Sequence, residues 1–499
     1  DEQERVFFLG DTGPVPESPA VERTVGRSLG RHVIRPESLP PGVGDDDWSV
    51  DGDRYVWIRR SGYRSEVVLG RGSKPGHRDP GAADDLVVWA AEATAAAPFV
   101  RSVPGGAWIA FHHNLREDTG EPDIAKWIAL RFVDDEGGVH EPSAPMVDRD
   151  RDRQGEEQSF EFPSIAVGEG GALRLFGRGS HCFYSQDLSS DGYGPRVPLG
   201  DATWGCRGRR VAALVDDGGG CWTARRERPG VVVCYTDGPR GSAPDLRSVS
   251  AEQSAIRLGG VHGASSRGSG STAGHDTAAF RARVGAFDGD AEYMTLFGDI
   301  HQHSAHSDGI GTADEPYLRA RYLYGDDFCA LSDHESFLGK RVGPSEWALL
   351  EGAAERHNEP GEFATLLAYE WTGKMFPGPG HKVVYPPKVG LPILSRDNVP
   401  EGDALVAQVA DQGGIAVPHH VGWTGANEEA HDPSVQPVWE ICSCHGCYES
   451  FAHELGQRGD LRDQMVDAVL RRGHRFGFIA SSDGHGLLWH HGVARKRDP

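Results

Sequence analysis

The sequence predicts two domains of different class, an all-β N-terminal domain and an α/β C-terminal domain. Three observations support this division. First, 67 glycines and 32 prolines among 499 residues favour short strands joined by tight turns. Second, apolar runs in the N-terminal half end at turns rich in Asp, Glu and Gly. Third, strand-like and helix-like segments alternate after residue 290.

The N-terminal domain, residues 1–255, has the pattern of a series of short strands. The strand-like segments include RYVWIRR, DLVVWAA, AWIAFHHN, KWIALRFV, IAVGEGGALRLFG, VAALVDDGGGCWTA and VVVCYTDG. A unit of apolar strand, acidic-Gly turn and aromatic strand recurs near residues 99, 164 and 210. That irregular spacing is close to the ~40–50-residue period of propeller blades. These features predict a β-propeller-like domain, with a β-sandwich as the alternative.

A Gly/Ser-rich stretch, residues 256–289, predicts a linker. The C-terminal domain, residues 290–499, then begins with the strand YMTLFGDI and the helix ADEPYLRARYLYG. Further strands are predicted at DFCALSD, FATLLAYEW, IAVPHH, VWEICS and RFGFIASSD, and further helices at PSEWALLEGAAERHN, EGDALVAQVADQGG and LRDQMVDAVLRRGH. This alternation predicts a parallel sheet or a (β/α) barrel, in which functional groups lie at the carboxyl ends of the strands.

The charge balance excludes some classes of partner. Lys and Arg number 51 and Asp and Glu number 74, which gives a formal net charge of −23. Such a surface repels nucleic acid and anionic membranes, and no apolar run reaches the ~18 residues that would indicate a membrane span. We therefore expect neither a nucleic acid nor a membrane partner, whereas the oligomeric state stays open.

The expected location is the cytoplasm, with secretion as the alternative. The first residues, DEQERVFFLGDTG, lack the basic and apolar regions of a signal peptide. Eight cysteines in a chain of this length do not make a disulfide scaffold.

His, Asp and Glu side chains gather at the ends of the predicted C-terminal strands. Fifteen of the 23 histidines follow residue 290. In GDIHQHSAHSDG, the HxH spacing places two imidazoles on one side of an extended segment, where both can bind one metal ion. Ionisable groups rarely end buried strands for structural reasons, because burying them unpaired is costly. The ionisable side chains at or beside these strand ends are His301, His303, Asp308, Asp333, His334, Glu370, His381, His419, His420, Asp483 and His485.

These motifs resemble those of the PHP (polymerase and histidinol phosphatase) superfamily. HxH with a following SDG, an SDH strand end, a Glu strand end, two separated histidines and a final DxH occur in the family's order over residues 295–490. The resemblance implies a distorted (β/α) barrel of PHP type with two or three divalent metal ions. It implies one ion at His301, His303, Glu370 and Asp483, a second at Asp308, His334 and His485, and a third at His381 and His419 with Glu370 as a bridge. The N-terminal half has no counterpart in that core family.

The ligand types support a polynuclear metal site independently of the resemblance. Imidazole and carboxylate ligands without thiolate suit Zn²⁺, Mn²⁺ or Fe²⁺, and the set exceeds the four ligands of one tetrahedral ion. We therefore expect hydrolysis of a small anionic phosphomonoester or phosphodiester by a hydroxide that bridges the ions. The residues expected to be catalytic are Asp308, His334, Glu370 and His485.

Two alternatives to a phosphoesterase remain open at this stage. One is an enzyme of the amidohydrolase type that cleaves a C–N or C–O bond at the same metal site. The other is a binding module joined to a barrel that has lost its activity.

Four further residues are candidate substrate contacts: His306, Lys374, Lys382 and His445. His445 lies in a CxCHxC segment whose spacing fits no common zinc site, so the segment is expected to form a pocket wall. Strand alternation predicts that only one of the neighbouring His419 and His420 faces the site.

Overall fold

The structure is a computed structural model of the chain. It describes residues 5–10, 42–71, 85–115, 122–144, 160–179, 182–199, 210–215, 219–227, 230–253, 296–337 and 340–486. The predicted linker and the first three residues of the predicted strand YMTLFGDI lie outside these ranges.

The described part of the N-terminal half consists of β-strands joined by turns. The strands are β1 (Arg5–Gly10), β2 (Trp48–Asp51), β3 (Arg54–Ser61), β4 (Arg64–Arg71), β5 (Leu86–Ala91), β6 (Ala95–Val103), β7 (Gly106–Leu115), β8 (Pro122–Asp134), β9 (Val139–Pro142), β10 (Glu161–Val167), β11 (Leu173–Arg178), β12 (Phe183–Ser189), β13 (Gly192–Tyr193), β14 (Val197–Leu199), β15 (Ala212–Val215), β16 (Gly220–Glu227), β17 (Gly230–Asp237) and β18 (Leu246–Ser248).

These strands form four sheets that follow one another along the chain. The first sheet has the order β2-β3-β4-β5, the second β18-β9-β8-β7-β6, and the third β10-β11-β12-β13 with β14 on β12. The fourth has the order β1-β17-β16-β15, in which β1 pairs parallel with β17. Neighbouring sheets pack in chain order, since β6 contacts β2, β3 and β10, and β10 contacts β15. The prediction of antiparallel β-structure is confirmed, and closure into a propeller ring stays a prediction.

Strand β7 shows how the sheets share a core. Every residue of β7 is buried, because a sheet covers each of its faces. Ile109 and Phe111 face the first sheet, where they join a cluster that includes Trp89. Trp108 and Ala110 face the third sheet. The two-residue period of a strand therefore divides AWIAF between two cores.

The C-terminal half mixes short strands and helices. Its strands are β19 (Gly298–Asp299), β20 (Phe328–Leu331), β21 (Ser336–Phe337), β22 (Lys340–Arg341), β23 (Ala364–Leu367), β24 (Tyr369–Thr372), β25 (His381–Tyr385), β26 (Ile415–Pro418), β27 (Val438–Ser443), β28 (Gly446–Cys447) and β29 (Gly477–Ala480). Its helices are α1 (Glu315–Leu318), which continues as a π-helical segment (Arg319–Tyr324), α2 (Pro344–His357), α3 (Gly402–Gln412), α4 (Val421–Thr424) and α5 (Val466–Arg471), with short 3-10 turns at Glu428–Ala430 and Arg462–Gln464.

The predicted parallel barrel is not confirmed. Strands β19, β20 and β23 pair in parallel, and so do β27 and β29. Between them, however, β25 pairs antiparallel with both β24 and β26. The connection from β24 to β25, residues 373–380, is too short for the crossover that a parallel pair requires. The predicted strand FATLLAYEW therefore divides at Ala368 into β23 and β24, which belong to different sheets.

Helix α2 illustrates why the predicted helices form. Pro344 stands at its first position, Glu346 in its first turn and Arg356 in its last turn, all of which suit the helix dipole. Trp347 and Leu350 point into the C-terminal core, which also contains the fully buried Trp371. The predicted helix LRDQMVDAVLRRGH is shorter than expected, since it begins as a 3-10 turn and only α5 is α-helical.

Among the helices that the structure describes, none is both long and apolar enough to span a lipid bilayer.

Candidate metal centre

The HxH and DxH segments run side by side just beyond β19. His303 N donates to Gly484 O at 2.7 Å, and Gly484 N donates to His301 O at 3.2 Å. Asp483 has a φ of 50°, a left-handed conformation that costs energy outside glycine and is frequent at functional sites. This pairing brings the two imidazoles of HxH against the Asp483 carboxylate.

The first group of candidate ligands comprises His301, His303, Glu370 and Asp483, all of them buried. His303 Nε2 lies 3.1 Å from Asp483 Oδ1 and 3.3 Å from Glu370 Oε2. His301 Nε2 lies 3.4 Å from each of the same two oxygens. One ligand atom from each residue lies within 4.8 Å of the others, so one ion can contact all four side chains.

The second group comprises His303, Asp308, His334 and His485. Asp308 Oδ1 is its central atom, at 3.2 Å from His485 Nε2, 3.6 Å from His334 Nε2 and 4.0 Å from His303 Nδ1. The rings of His303 and His485 stack with centroids 4.3 Å apart. Since His303 belongs to both groups, the two candidate ion positions are neighbours.

The third group comprises Glu370, His381, His419 and His420. Glu370 Oε1 lies 2.7 Å from His381 Nδ1 and 3.1 Å from His419 Nε2. The other oxygen of the same carboxylate faces the first group. Glu370 therefore stands between two groups, one oxygen for each.

His420 faces the site together with His419, which differs from the expectation based on strand alternation. Strand β26 ends at Pro418, and His420 has a φ of 34° in the left-handed region. Alternation applies only to extended backbone, so the turn here brings both rings to the same side, with centroids 4.1 Å apart.

Two side chains outside the predicted set orient candidate ligands. Glu440 Oε2 lies 3.0 Å from His301 Nδ1, and Thr372 Oγ1 lies 2.7 Å from His334 Nδ1. Such contacts to the distal imidazole nitrogen fix the ring and its tautomer at metal sites. Sequence reasoning missed Glu440, whose only sign is an acidic residue inside the apolar strand VWEICS.

The serine-rich turn after HxH is fixed by Asp333, the residue before His334. Asp333 Oδ1 accepts hydrogen bonds from Ser304 N at 2.8 Å and Ser307 N at 3.1 Å. Asp333 Oδ2 accepts a third from Ser304 Oγ at 2.6 Å. The Asp of the SDH motif therefore shapes the turn, while its His joins the second group.

The histidines of the site respond differently to their surroundings. Burial opposes a charge on His301, but the Asp483 and Glu440 carboxylates outweigh it and raise its pKa well above the usual range. At His485 the Asp308 carboxylate likewise outweighs burial and raises the pKa of the ring well above the usual range. At His334 burial prevails and lowers the pKa to about 4.

The carboxylates of the site are held in their ionised form. Burial alone would raise the pKa of Glu370, but His334 and His419 bring it well below its usual range. Asp483 behaves in the same way beside His301 and His445. Anionic oxygens and imidazole nitrogens thus converge in one buried space, as divalent transition metals require.

The four predicted substrate contacts differ in their exposure and in their neighbours. His445 is the one beside a candidate ligand, with Nε2 at 3.3 Å from Asp483 Oδ2 and its side chain 22% exposed. Lys374 is exposed on the turn between β24 and β25.

The other two predicted contacts are enclosed within the protein. His306 is fully buried, with Nδ1 at 2.9 Å from Glu346 and Nε2 at 3.3 Å from Asp46. Lys382 is also fully buried, and its Nζ donates to Pro379 O at 2.6 Å. Burial lowers the pKa of Lys382 to about 7. Neither side chain is exposed to solvent, and a contact of either with substrate stays a prediction.

The CxCHxC segment forms a hairpin beside the site. Cys442 and Cys447 are partners across β27 and β28. Cys444 instead points toward the centre, where its Sγ lies 3.2 Å from Asp483 O. Ligand atoms of Cys444, His445 and Asp483 lie within 4.8 Å of one another and could together hold an ion, so the pocket wall stays a prediction.

The sequence model of the family DUF3604, whose description is 'protein of unknown function', matches residues 323–389. No curated protein matches the chain.

Several solved structures are similar to parts of the chain. A two-domain protein from Bacteroides vulgatus, described as containing a predicted PHP-like metal-dependent phosphoesterase, is 18% identical, with a TM-score of 0.28; the match covers 38% of this chain and 52% of that one. A candidate metal-dependent phosphoesterase from Bifidobacterium adolescentis is 17% identical, with a TM-score of 0.27 and coverage of 39% and 90%. An endo-arabinase from Bacteroides thetaiotaomicron is 13% identical, with a TM-score of 0.23 and coverage of 44% and 84%. At TM-scores this low, function is inferred from the geometry of the chain's own residues.

Proposed function

We propose that this protein is a metal-dependent hydrolase of small phosphate esters. The observation that supports this most strongly is the sharing of ligands between groups. His303 belongs to the first and second groups, and Glu370 to the first and third. Shared ligands place the candidate ion positions side by side, which is the arrangement of polynuclear phosphoester-cleaving sites.

The donor set fits two or three ions of Zn²⁺, Mn²⁺ or Fe²⁺. The three groups contain imidazole nitrogens and carboxylate oxygens, the donors that these ions accept. When bound, such ions would lower the pKa of a coordinated water and neutralise charge on phosphoryl oxygens. The chain's own contribution is to orient these donors, as Glu440 does for His301.

The rim of the site supports an anionic substrate. The guanidinium of Arg458 lies 3.8 Å from the centre of the Trp423 ring, and Trp423 in turn lies 5.0 Å from the His445 ring. Arg458 is exposed to solvent. A planar guanidinium on an aromatic face suits a phosphate or carboxylate. His445, whose Nε2 lies 3.3 Å from Asp483 Oδ2, stands between this rim and the candidate ligands.

The proposal is tested by the release of phosphate from a panel of small phosphomonoesters and phosphodiesters after loading with Mn²⁺ or Zn²⁺. His303→Ala removes a ligand of two groups, so we expect kcat/KM to fall by more than about 100-fold, the upper effect of losing an outer-shell partner. His140→Ala is the matched control, because His140 also contacts a carboxylate, Asp134 at 2.8 Å, but lies outside the site. Metal-loaded protein that cleaves amides or lactones and no phosphate ester would contradict the proposal.

A further inference from the structure

The segment that carries Asp308 lies against the N-terminal β domain. It leaves the HxH motif at Ser304 and ends at Glu315, the first residue of α1. Ala305 packs in a small buried cluster with Ala97 of β6 and Phe162 of β10. One face of the second group is therefore supported by the other half of the chain.

A buried ion pair of the β domain forms hydrogen bonds with the backbone of this segment. Glu161 and Arg178 are register partners on β10 and β11, and Arg178 Nη1 lies 2.5 Å from Glu161 Oε1. Arg178 Nη2 donates to Gly309 O at 2.9 Å, and Gly311 N donates to Glu161 Oε2 at 2.9 Å. Both charged side chains are fully buried. The pair thus binds the two backbone groups that flank residue 310.

The same backbone stretch also contacts two candidate ligands. Ile310 N donates to His485 O at 2.9 Å, while Gly309 directly follows Asp308. At Gly309 a Cβ would lie 2.4 Å from His303 O, so the turn is tightly packed against the HxH strand. Moving residues 309–311 would therefore move Asp308 and His485, and with them the second group.

A second set of charges fixes the far end of the segment. Glu315 Oε2 accepts from Thr312 N at 2.7 Å and lies 3.2 Å from His112 Nε2 of β7. Glu315 Oε1 lies 3.6 Å from Lys126 Nζ of β8. Burial would raise the pKa of Glu315, but Lys126 and His112 hold it below its usual range. Two neighbouring strands of the second sheet thus hold the far end of this segment.

The simpler explanation is that these contacts only hold the two halves together. That explanation does not account for the hydrogen bonds between the ion pair and the backbone at Gly309 O and Gly311 N. Apolar residues of similar size often replace a buried ion pair without loss of stability. Here the pair instead supplies one hydrogen-bond donor and one acceptor to buried backbone atoms next to a candidate ligand. The rigid guanidinium of arginine, whose N–H donors point in fixed directions, suits such positioning.

We infer that Arg178 and Glu161 are positioning residues for the second group, so that the β domain forms part of the metal centre. This inference rests on the proposed function only in assuming that the second group binds an ion. Hydrogen bonds of Arg178 and Glu161 with the backbone of residues 309 and 311 then hold Asp308 and His485 in the orientation that an ion requires.

The test uses the full-length chain with Arg178→Met and the matched control Arg54→Met. Arg54 is also a buried arginine of the β domain that bonds a carboxylate, Asp135, and a backbone carbonyl, Gly106 O. Mn²⁺ binding is measured by calorimetric titration and by elemental analysis after dialysis. We expect Arg178→Met to weaken one of the Mn²⁺ sites by about 10–100-fold and to leave the others unchanged, whereas Arg54→Met binds as the wild type does.

Arg178→Lys provides a second variant in case Arg178→Met does not fold. Lysine retains the positive charge beside Glu161, but one ammonium replaces two nitrogens that bond different partners. We expect a smaller loss at the same single site, together with faster hydrogen exchange of the amide of residue 311.

Mn²⁺ binding by the folded Arg178 variants that equals that of Arg54→Met would overturn the inference, and so would an equal loss at every site. Failure of the proposed function would look different. The wild type would bind its ions and Arg178→Met would lose one, but no phosphate ester would be cleaved.

Discussion

Glu440 contacts the candidate centre through the distal nitrogen of His301, at 3.0 Å. At this position the carboxylate sets the tautomer of the ring and makes its other nitrogen a better ligand. We predict that Glu440→Gln lowers metal affinity at the first group by about 10–100-fold while the fold is retained. The measurement is competition against a chelating dye of known affinity.

The control for Glu440→Gln is Glu141→Gln, since Glu141 is a carboxylate of the β domain that pairs with Arg131 at 2.9 Å. Unchanged affinity in Glu440→Gln would show that His301 needs no carboxylate behind it.

The raised pKa values of His301 and His485 predict that metal binding releases protons. Neighbouring carboxylates raise both pKa values well above the usual range, which favours a bound proton on each ring in the metal-free protein. Imidazole must be neutral to bind a metal, so at least about one proton should leave per chain as the ions bind. It follows that affinity falls as the pH is lowered below these raised pKa values.

Calorimetry in two buffers of different ionisation enthalpy measures the number of protons released. Identical enthalpies in the two buffers would show that no proton is displaced, against this prediction.

At the scale of elements, the turn after HxH connects two groups. Gly309 packs against the backbone of residues 303 and 304. A Cβ at Gly309 would lie 2.4 Å from His303 O and 2.8 Å from Ser304 N. These are backbone atoms, so the turn must move to admit a side chain. We predict that Gly309→Ala lowers the free energy of unfolding by about 1–3 kcal/mol, the usual cost of overpacking. The measurement is urea denaturation of the metal-free protein.

Gly343→Ala is the matched control, because nothing lies within 4 Å of a Cβ at Gly343. Equal stability of Gly309→Ala and the wild type would show that the turn yields without cost.

The sequence predicted these elements unevenly. Strand ends with His, Asp or Glu were recognisable because local periodicity places each strand, and motif spacing places each ligand within it. The antiparallel strand β25 was not foreseen, since HKVVYPP follows a Gly- and Pro-rich turn and gives no sign of its pairing with β24 and β26. The left-handed turn at His420 was missed for a related reason, because alternation holds only while the strand continues.

At the scale of the whole molecule, the chain brings together ligands from residue 301 to residue 485. The sequence could predict this gathering because each strand end is a local feature that repeats. It could not predict that Arg178 bonds Gly309, since that contact joins residues 131 positions apart and no sequence motif marks Arg178. Long-range polar contacts between halves become visible only in three dimensions.

The proposed function requires cations at the groups of candidate ligands. The most direct test is a crystal structure of protein purified without chelator, with anomalous scattering recorded at the Mn, Fe and Zn absorption edges. We predict separate anomalous peaks at the first and second groups, with His303 beside both ions. A peak at the third group would place Glu370 beside two ions as well. Imidazoles and carboxylates that contact one another directly, with no anomalous peak among them in metal-replete protein, would contradict the account.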